Sequence, residues 1–272
     1  MIDLLAFATG VSDAAYGALN ALSGRSWYFD LLVALPMDNT LVKAGPVAAC
    51  FTYAWFAAAD EGETRRRRRV LIVTLLSLCF VLITTKALSK EIFLPRPFVL
   101  SQSVYLIEDS RLVPAERLDY RVPLGGENRA RFERLQRGEI ARNDLGSFPS
   151  DHAGFYVALA LGIALVCRLA GMIALGWTIF VILLSRIVTG MHSPLDILAG
   201  AMIGATSLLA CQLVAAHWLR RLVEPLAGLT IRYQGLSSAL LFLLLFEATS
   251  TLTNVEDLLW WTKEVFDRVM GA

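Results

Sequence analysis

Residues 185–196 read SRIVTGMHSPLD, and they connect two long apolar stretches, 172–190 and 195–216. A membrane-spanning helix needs about 20 mostly apolar residues, which both stretches supply. The connecting segment therefore predicts the end of one span, a short turn and the start of the next span. Ser193 and Pro194 fit the N-cap and N1 positions of the second helix.

Similar apolar stretches recur along the chain, at 41–59, 70–88 and 153–170, with a weaker one at 235–252. Of the 272 residues, 56% are hydrophobic and only 18% are charged, and the charges are grouped between the apolar stretches. This composition excludes a soluble enzyme, a nucleic-acid-binding protein and a disordered scaffold. The sequence predicts an all-α fold, a polytopic bundle of five to six transmembrane helices in a lipid bilayer, with no nucleic acid as partner. It does not predict an oligomeric state.

The two parts outside this pattern are the N-terminus and one long loop. Residues 1–40 are apolar but interrupted by charges such as Asp3 and Asp13, which favours helices lying at the membrane interface. A true span in this region is the alternative. The transmembrane domain is predicted for 41–272, and its insertion at 98–148 carries equal numbers of acidic and basic side chains. We expect this insertion to form an extramembrane loop with a helical cap, and a plain solvated linker is the alternative.

The placement of arginine predicts the orientation of the spans. Arg65 to Arg69 separate the first two spans, Arg168 lies between the third and fourth, and Arg220 follows the fifth. Cytoplasmic loops of membrane proteins are enriched in Lys and Arg. These connections are therefore predicted to be cytoplasmic, which leaves residues 89–152 and 190–195 on the outer side.

Three polar clusters emerge on this outer side. Besides 185–196, they are residues 90–97, KEIFLPRP, and residues 148–152, FPSDH. For any one cluster, a solvated anchor at the end of a span is the default interpretation. Three clusters that meet at one face of the membrane, and that hold two histidines and two arginines, predict a functional site.

The residue types in these clusters fit the transfer of a phosphoryl group. His192 and Asp196 are four residues apart, which places them on one face of a helix, and a carboxylate partner makes a histidine a better nucleophile. A second histidine can protonate the leaving oxygen. Two guanidinium groups and the free N–H groups of a helix start suit the oxygens of a phosphoryl group. This chemistry needs no metal ion and no cofactor.

Two other interpretations of the same residues are weaker. A zinc site would place a metal cation beside two arginines. A serine hydrolase would carry Gly-x-Ser-x-Gly around its nucleophile, whereas Ser150 stands at the N-cap position of a predicted helix.

The three clusters resemble the motifs of the type 2 phosphatidic acid phosphatase (PAP2) family. Its third motif is Ser-Arg, five residues, His, three residues, Asp, and it matches completely at 185–196. Its second motif, Pro-Ser-Gly-His, matches at 149–152 except that Asp151 replaces the glycine. A negative charge at this helix start weakens anion binding unless the carboxylate turns away or contacts Lys90 or Arg96.

The first motif of the family is Lys, six residues, Arg-Pro. It matches at Arg96 and Pro97, but Ser89 stands at the position of the lysine. Lys90 is the neighbouring candidate, and Lys86 lies one turn earlier.

The resemblance implies a role for each matched residue. His192 would form a phosphohistidine, Asp196 would hold and polarise it, and His152 would act as general acid and then activate water. The implied substrate-binding residues are Arg96, Arg186, Ser150, Lys90 and Asp151.

Within the family, the arrangement of spans is similar to bacterial phosphatidylglycerophosphate and undecaprenyl diphosphate phosphatases of the B type. This implies a multi-pass protein of the bacterial inner membrane, with a periplasmic site that hydrolyses a phosphate from a membrane lipid, first of all undecaprenyl diphosphate. Transfer of the phosphoryl group to a lipid hydroxyl, or lipid A as the substrate, is an alternative that uses the same phosphohistidine. A silent membrane protein that binds or moves polyprenyl phosphates is a third hypothesis, motivated by Ser89.

Overall fold

The computed structural model describes residues 2–101, 105–108, 111–114, 119, 121–122, 130, 133–134, 136–137, 139, 146–249 and 262. Across these residues the chain forms a helix bundle and one antiparallel hairpin, β1 (Tyr105–Glu108) with β2 (Arg111–Pro114), inside the predicted outer loop. The predicted all-α bundle is confirmed. The helices are α1 (Ile2–Asn20), α2 (Trp27–Asp38), α3 (Thr40–Phe56), α4 (Glu61–Glu91), α5 (Asp151–Ala164), α6 (Arg168–Val188), α7 (Pro194–His217), α8 (Arg220–Arg232) and α9 (Gln234–Thr249).

Among the described helices, α4, α6 and α7 are long and apolar enough to cross a membrane. Helices also form at the predicted spans 41–59 and 153–170, but they are shorter, with 17 residues in α3 and 14 in α5. α5 ends early because the N–H groups of Val166 and Cys167 both turn back to the carbonyl of Ile163. The boundary predicted near residue 170 therefore lies several residues earlier.

The run of arginines predicted as a linker forms the first turns of α4. Asp60 caps this helix by accepting from the N–H of Glu63 at 2.8 Å. The Glu63 carboxylate in turn binds Arg66 at 2.8 Å and Arg67 at 2.7 Å, so the clustered charges are compensated locally. α4 has 31 residues, which corresponds to about 46 Å at 1.5 Å per residue. The arginines and the first motif therefore lie at opposite ends of one long helix.

Helix α8 was not predicted from the sequence, and it packs across the arginine end of α4. It buries Val223 and Ala227. Arg68 is buried on α4 and donates to the carbonyl of Thr230 at 2.7 Å, while Arg69 pairs with Glu224. The arginine run thus also holds the bundle together. The helical cap expected within the insertion 98–148 lies mostly outside the described residues.

The N-terminal helices contact the helices that carry the third motif. The Ser12 hydroxyl of α1 accepts from the N–H of Leu195 at 3.1 Å. The Asn20 side chain, fully buried, donates to the carbonyl of Val188 at 2.8 Å and also accepts from the N–H of Arg121 at 2.8 Å. α1 therefore joins the outer loop to the end of α6. Whether α1 and α2 lie at the membrane interface stays a prediction.

Helices α5 and α7 touch each other backbone to backbone. A Cβ added to Gly200 would overlap the carbonyl oxygen of Ser150, and one added to Gly204 would overlap that of Gly154. The two glycines of α7 therefore allow the close packing of the helices. The contact continues to the helix starts, where the N–H of Ser150 donates to the carbonyl of Asp196 at 3.1 Å.

We predict that Gly204→Ala lowers the free energy of unfolding by about 1–3 kcal/mol, because the added methyl group forces α5 and α7 apart. Gly176→Ala is the matched control, since it is also a helical glycine but has no atom within 4 Å of the added carbon. Thermal unfolding in detergent measures both. Equal melting temperatures for the two variants would show that the close contact is not needed.

Candidate active site

A turn at the end of α6 places His192. Gly190 adopts a left-handed conformation with φ of 66°, which ends the helix. The N–H groups of Met191 and His192 then both donate to the carbonyl of Arg186, at 3.0 and 3.1 Å. The third motif is thus folded back on itself, and His192 and Arg186 are both buried.

The His192 ring has two neighbours at Nδ1. The backbone carbonyl of Ser147 lies 3.0 Å away, and Asp196 Oδ2 lies 3.9 Å away. Because a carbonyl only accepts, Nδ1 must carry the proton in this contact, and Nε2 keeps its lone pair. The Ser147 carbonyl is a partner that the sequence analysis missed, since a backbone group leaves no signal in a motif.

Asp196 is the N3 residue of the capping box that begins α7, as well as the neighbour of His192. Its carboxylate accepts from the N–H of Ser193 at 2.7 Å, and the Ser193 hydroxyl accepts from the N–H of Asp196 at 3.2 Å. This reciprocal pair is a capping box, as Ser193 and Asp196 in that spacing suggest. The aspartate is fully buried, with His192 on one side and the N–H of Ser193 on the other.

The second motif opens α5 beside this turn. The Ser150 hydroxyl caps the helix by accepting from the N–H of Ala153 at 3.3 Å. Asp151 Oδ1 accepts from the backbone N–H of His152 and also lies 2.7 Å from its Nδ1. The extra aspartate is therefore turned onto the neighbouring histidine. This contact takes the place of the one expected with Lys90 or Arg96.

The first motif is tied to both of the others through Arg96. Its Nε donates to the carbonyl of Gly146 at 3.1 Å and its Nη1 to the carbonyl of Met191 at 3.4 Å. The N–H of Ser147 donates to the carbonyl of Leu94 at 2.9 Å, and Pro95 forms a bridge with Gly146. The three clusters that the sequence predicted to converge are joined by hydrogen bonds.

Comparison with known protein families agrees with this geometry. The family described as the PAP2 superfamily matches residues 70–220, more than half of the chain. The chain belongs to the PAP2 superfamily. The match contains all three motifs and excludes α1, α2 and α3. No curated protein and no solved structure gives a significant match to the chain.

The PAP2 site keeps both of its histidines neutral in the absence of substrate. Burial lowers the pKa of His192 well below its ordinary value, and the charges of Arg186 and Arg96 lower it further. Burial, together with the charge of Arg186, lowers the pKa of His152 to about 4, although Asp151 raises it. Burial raises the pKa of Asp151, but the hydrogen bond and charge of His152 outweigh this effect and hold it below its usual range.

Three side chains of the PAP2 site have the spacing of metal ligands. Ligand atoms of Asp151, His152 and His192 all lie within 4.8 Å of one another. Arg186 and Arg96 bring positive charge to the same place, as their effect on the pKa of His192 shows. This environment suits an anion better than a cation.

The structure does not bring either candidate for the lysine of the first PAP2 motif to the histidines. Lys90 and Lys86 are both exposed on α4. Successive residues of a helix are rotated by about 100°, so Lys90 lies about 140° around α4 from the buried Thr85. Ser89 lies only about 40° around the helix from Thr85, but it is exposed as well. Lys43 in α3 was not among the site residues expected from the sequence, but its charge acts on His152.

We predict that Gly190→Ala costs about 1–2 kcal/mol of stability because an L-residue is strained in the left-handed region, and that it also displaces His192. Gly24→Ala is the matched control, because Gly24 has a φ of 76° but is not part of the site. Thermal unfolding and phosphate release from a lipid phosphate are measured on both variants. If both lose stability and only Gly190→Ala loses activity, the turn positions the histidine; equal activities would contradict this.

Proposed function

We propose that this PAP2 protein removes the terminal phosphate from a membrane lipid diphosphate, with undecaprenyl diphosphate as the first candidate. The observation that carries the proposal is the hydrogen bond from His192 Nδ1 to the carbonyl of Ser147 at 3.0 Å. It leaves Nε2 as a neutral nucleophile in a pocket of arginines, which is what an attack on phosphorus requires.

In the first step, Nε2 of His192 attacks the terminal phosphorus, and the bond from phosphorus to the bridging oxygen breaks. The products are a lipid monophosphate and a phosphohistidine. The positive charge that develops on the ring is stabilised through Nδ1–H by the Ser147 carbonyl and by Asp196, 3.9 Å away. Arg96, Arg186 and the Ser150 end of α5 bind the phosphoryl oxygens.

In the second step, water attacks the phosphohistidine and releases inorganic phosphate. His152 accepts the proton from this water through Nε2, because its Nδ1 faces Asp151 at 2.7 Å. Asp151 thus positions the base and stabilises its charged form, a role different from the substrate contact predicted for it. The neutral state of His152, with a pKa of about 4, suits a base in this step.

The same neutral state favours a diphosphate over a monoester as substrate. An alkoxide leaving group depends on a proton from a general acid, whereas burial lowers the pKa of His152 to about 4 in the unliganded site. A phosphate leaving group is a much weaker base and departs without one. This chemistry supports the diphosphate.

The position of the site supports a periplasmic active face in the bacterial inner membrane. The arginine run begins the 31-residue α4, and the first motif follows its other end. With the arginines on the cytoplasmic side, as the positive-inside rule predicts, the histidines lie at the outer boundary. There the substrate keeps its polyprenyl chain in the bilayer while its phosphates reach His192.

We predict that His192→Ala reduces phosphate release by at least about a thousandfold, because the covalent step is lost. His217→Ala is the matched control: this histidine is exposed at the far end of α7, and its Nδ1 is bonded to the carbonyl of Leu213 in the same helix. Both variants are assayed in detergent after size-exclusion chromatography. An active His192→Ala enzyme would sink the mechanism.

We predict faster hydrolysis of undecaprenyl diphosphate than of phosphatidylglycerophosphate, phosphatidate or lipid A in one phosphate-release panel. Because the argument rests on the leaving group, a faster rate with phosphatidate contradicts it. Labelled diphosphate also separates the alternatives: label on a second lipid means transfer, and tight binding without turnover of any lipid means a silent carrier.

A further inference from the structure

The PAP2 pattern has a lysine before Arg-Pro, and this chain has Ser89 at that position. The two lysines nearest to it in sequence, Lys86 and Lys90, are exposed and lie on other faces of α4 than the buried Val81 and Thr85. The cation that this motif normally supplies therefore has to come from elsewhere if the site is to keep its charge.

Helix α3 carries a single charged residue, Lys43, in its first turns. The side chain is half-buried. In an otherwise apolar helix, one lysine near the end is commonly a membrane-interface anchor. An anchor would extend toward the lipid head groups, so the surroundings of Lys43 decide between the two roles.

The start of α3 is fixed against α6. Asn39 is fully buried and caps the helix by accepting from the N–H of Val42 at 3.0 Å. The carbonyl of Val42 accepts from the Trp177 indole at 3.1 Å, which ties this turn to α6. Lys43 is the next residue, and its backbone N–H donates to the carbonyl of Asn39 at 3.0 Å.

The residue before this corner contacts the other motifs. Met37, at the end of α2, packs against a small cluster of Phe98, Val99 and Met191. Phe98 and Val99 follow Arg96, and Met191 precedes His192. The α2–α3 corner therefore lies on the same outer end of the bundle as the arginine and the nucleophile.

Lys43 also acts on the second histidine. Its positive charge lowers the pKa of His152, in the same direction as burial and the charge of Arg186. This effect of its charge agrees with the place of the α2–α3 corner, where Met37 packs against Phe98, Val99 and Met191.

We propose that Lys43 binds the phosphate of the substrate and replaces, from α3, the lysine that the PAP2 pattern places on α4. The inference rests on the proposed phosphatase function and extends the site to a helix outside the matched region 70–220. An ammonium group suits this substitution because it is a compact charge on a flexible stem, which reaches a phosphoryl oxygen from a different backbone position.

The test compares Lys43→Met with Lys90→Met and Lys86→Met, which remove the competing lysines. We expect Lys43→Met to lower kcat/KM and to weaken inhibition by inorganic phosphate, each by about 10- to 100-fold, as for loss of a charge-assisted hydrogen bond. Lys43→Arg, which keeps the charge, should recover part of both. If Lys90→Met or Lys86→Met carries the loss and Lys43→Met does not, the proposal is overturned.

Binding is also measured without turnover, as the increase in melting temperature caused by inorganic phosphate. We expect phosphate to stabilise the wild type and not Lys43→Met, while Arg221→Met, an exposed cation at the cytoplasmic end, responds as the wild type does. If the wild type is inactive but phosphate raises its melting temperature through Lys43, the proposed phosphatase function is wrong and the proposed binding role of Lys43 stands. If phosphate raises the melting temperature of the wild type and of Lys43→Met equally, the binding role of Lys43 is wrong and the proposed phosphatase function is unaffected. If Lys43→Met is unfolded, the same comparison is made with Lys43→Gln.

Discussion

The contact on which the site depends is the one between the backbones of α5 and α7. Gly154, Gly200 and Gly204 allow the two helices to approach until a single methyl group would not fit between them. Each helix begins with a motif, so the close approach also brings the two helix starts together, linked by the hydrogen bond from Ser150 to Asp196. This contact brings ring nitrogens of the two histidines within 4.8 Å of each other.

Positive charge is costly in such a place, and backbone carbonyls hold the partly buried Arg96. Arg96 donates to the carbonyls of Gly146 and Met191. The next residue in each segment, Ser147 and His192, forms the hydrogen bond at His192 Nδ1. The guanidinium group therefore links the segments that carry Ser147 and His192, the proposed nucleophile. The price of bringing Arg96 and Arg186 together is mutual repulsion, which a phosphate dianion relieves on binding. Pre-arranged positive charge of this kind stabilises a transferring phosphoryl group without further movement of the protein.

Much of this arrangement could be predicted from the sequence, because motifs and spans are local patterns. Apolar length predicted the helices, and the span count predicted that the clusters at 90–97, 148–152 and 185–196 meet at one face, as the hydrogen bonds through Arg96 confirm. The rest depends on contacts between distant segments. The Ser147 carbonyl has no side-chain signature, and the amphipathic α8 was hidden because its charged residues resembled a topology signal. Lys43 lay at the edge of a predicted span, where a lysine has an ordinary explanation.

The two departures from the PAP2 pattern have the same electrostatic sign. Ser89 in place of lysine and Asp151 in place of glycine each lower the net charge by one unit, in a site that is proposed to bind an anion. The carboxylate of Asp151 does not act on the substrate directly, because it is bound to His152 and its charge is used to make that ring more basic. Lys43 would return the other unit from a helix beyond the motifs. On this reasoning the proposed chemistry requires net positive charge at the site, and the backbone position of each charge can differ wherever a second helix passes close enough.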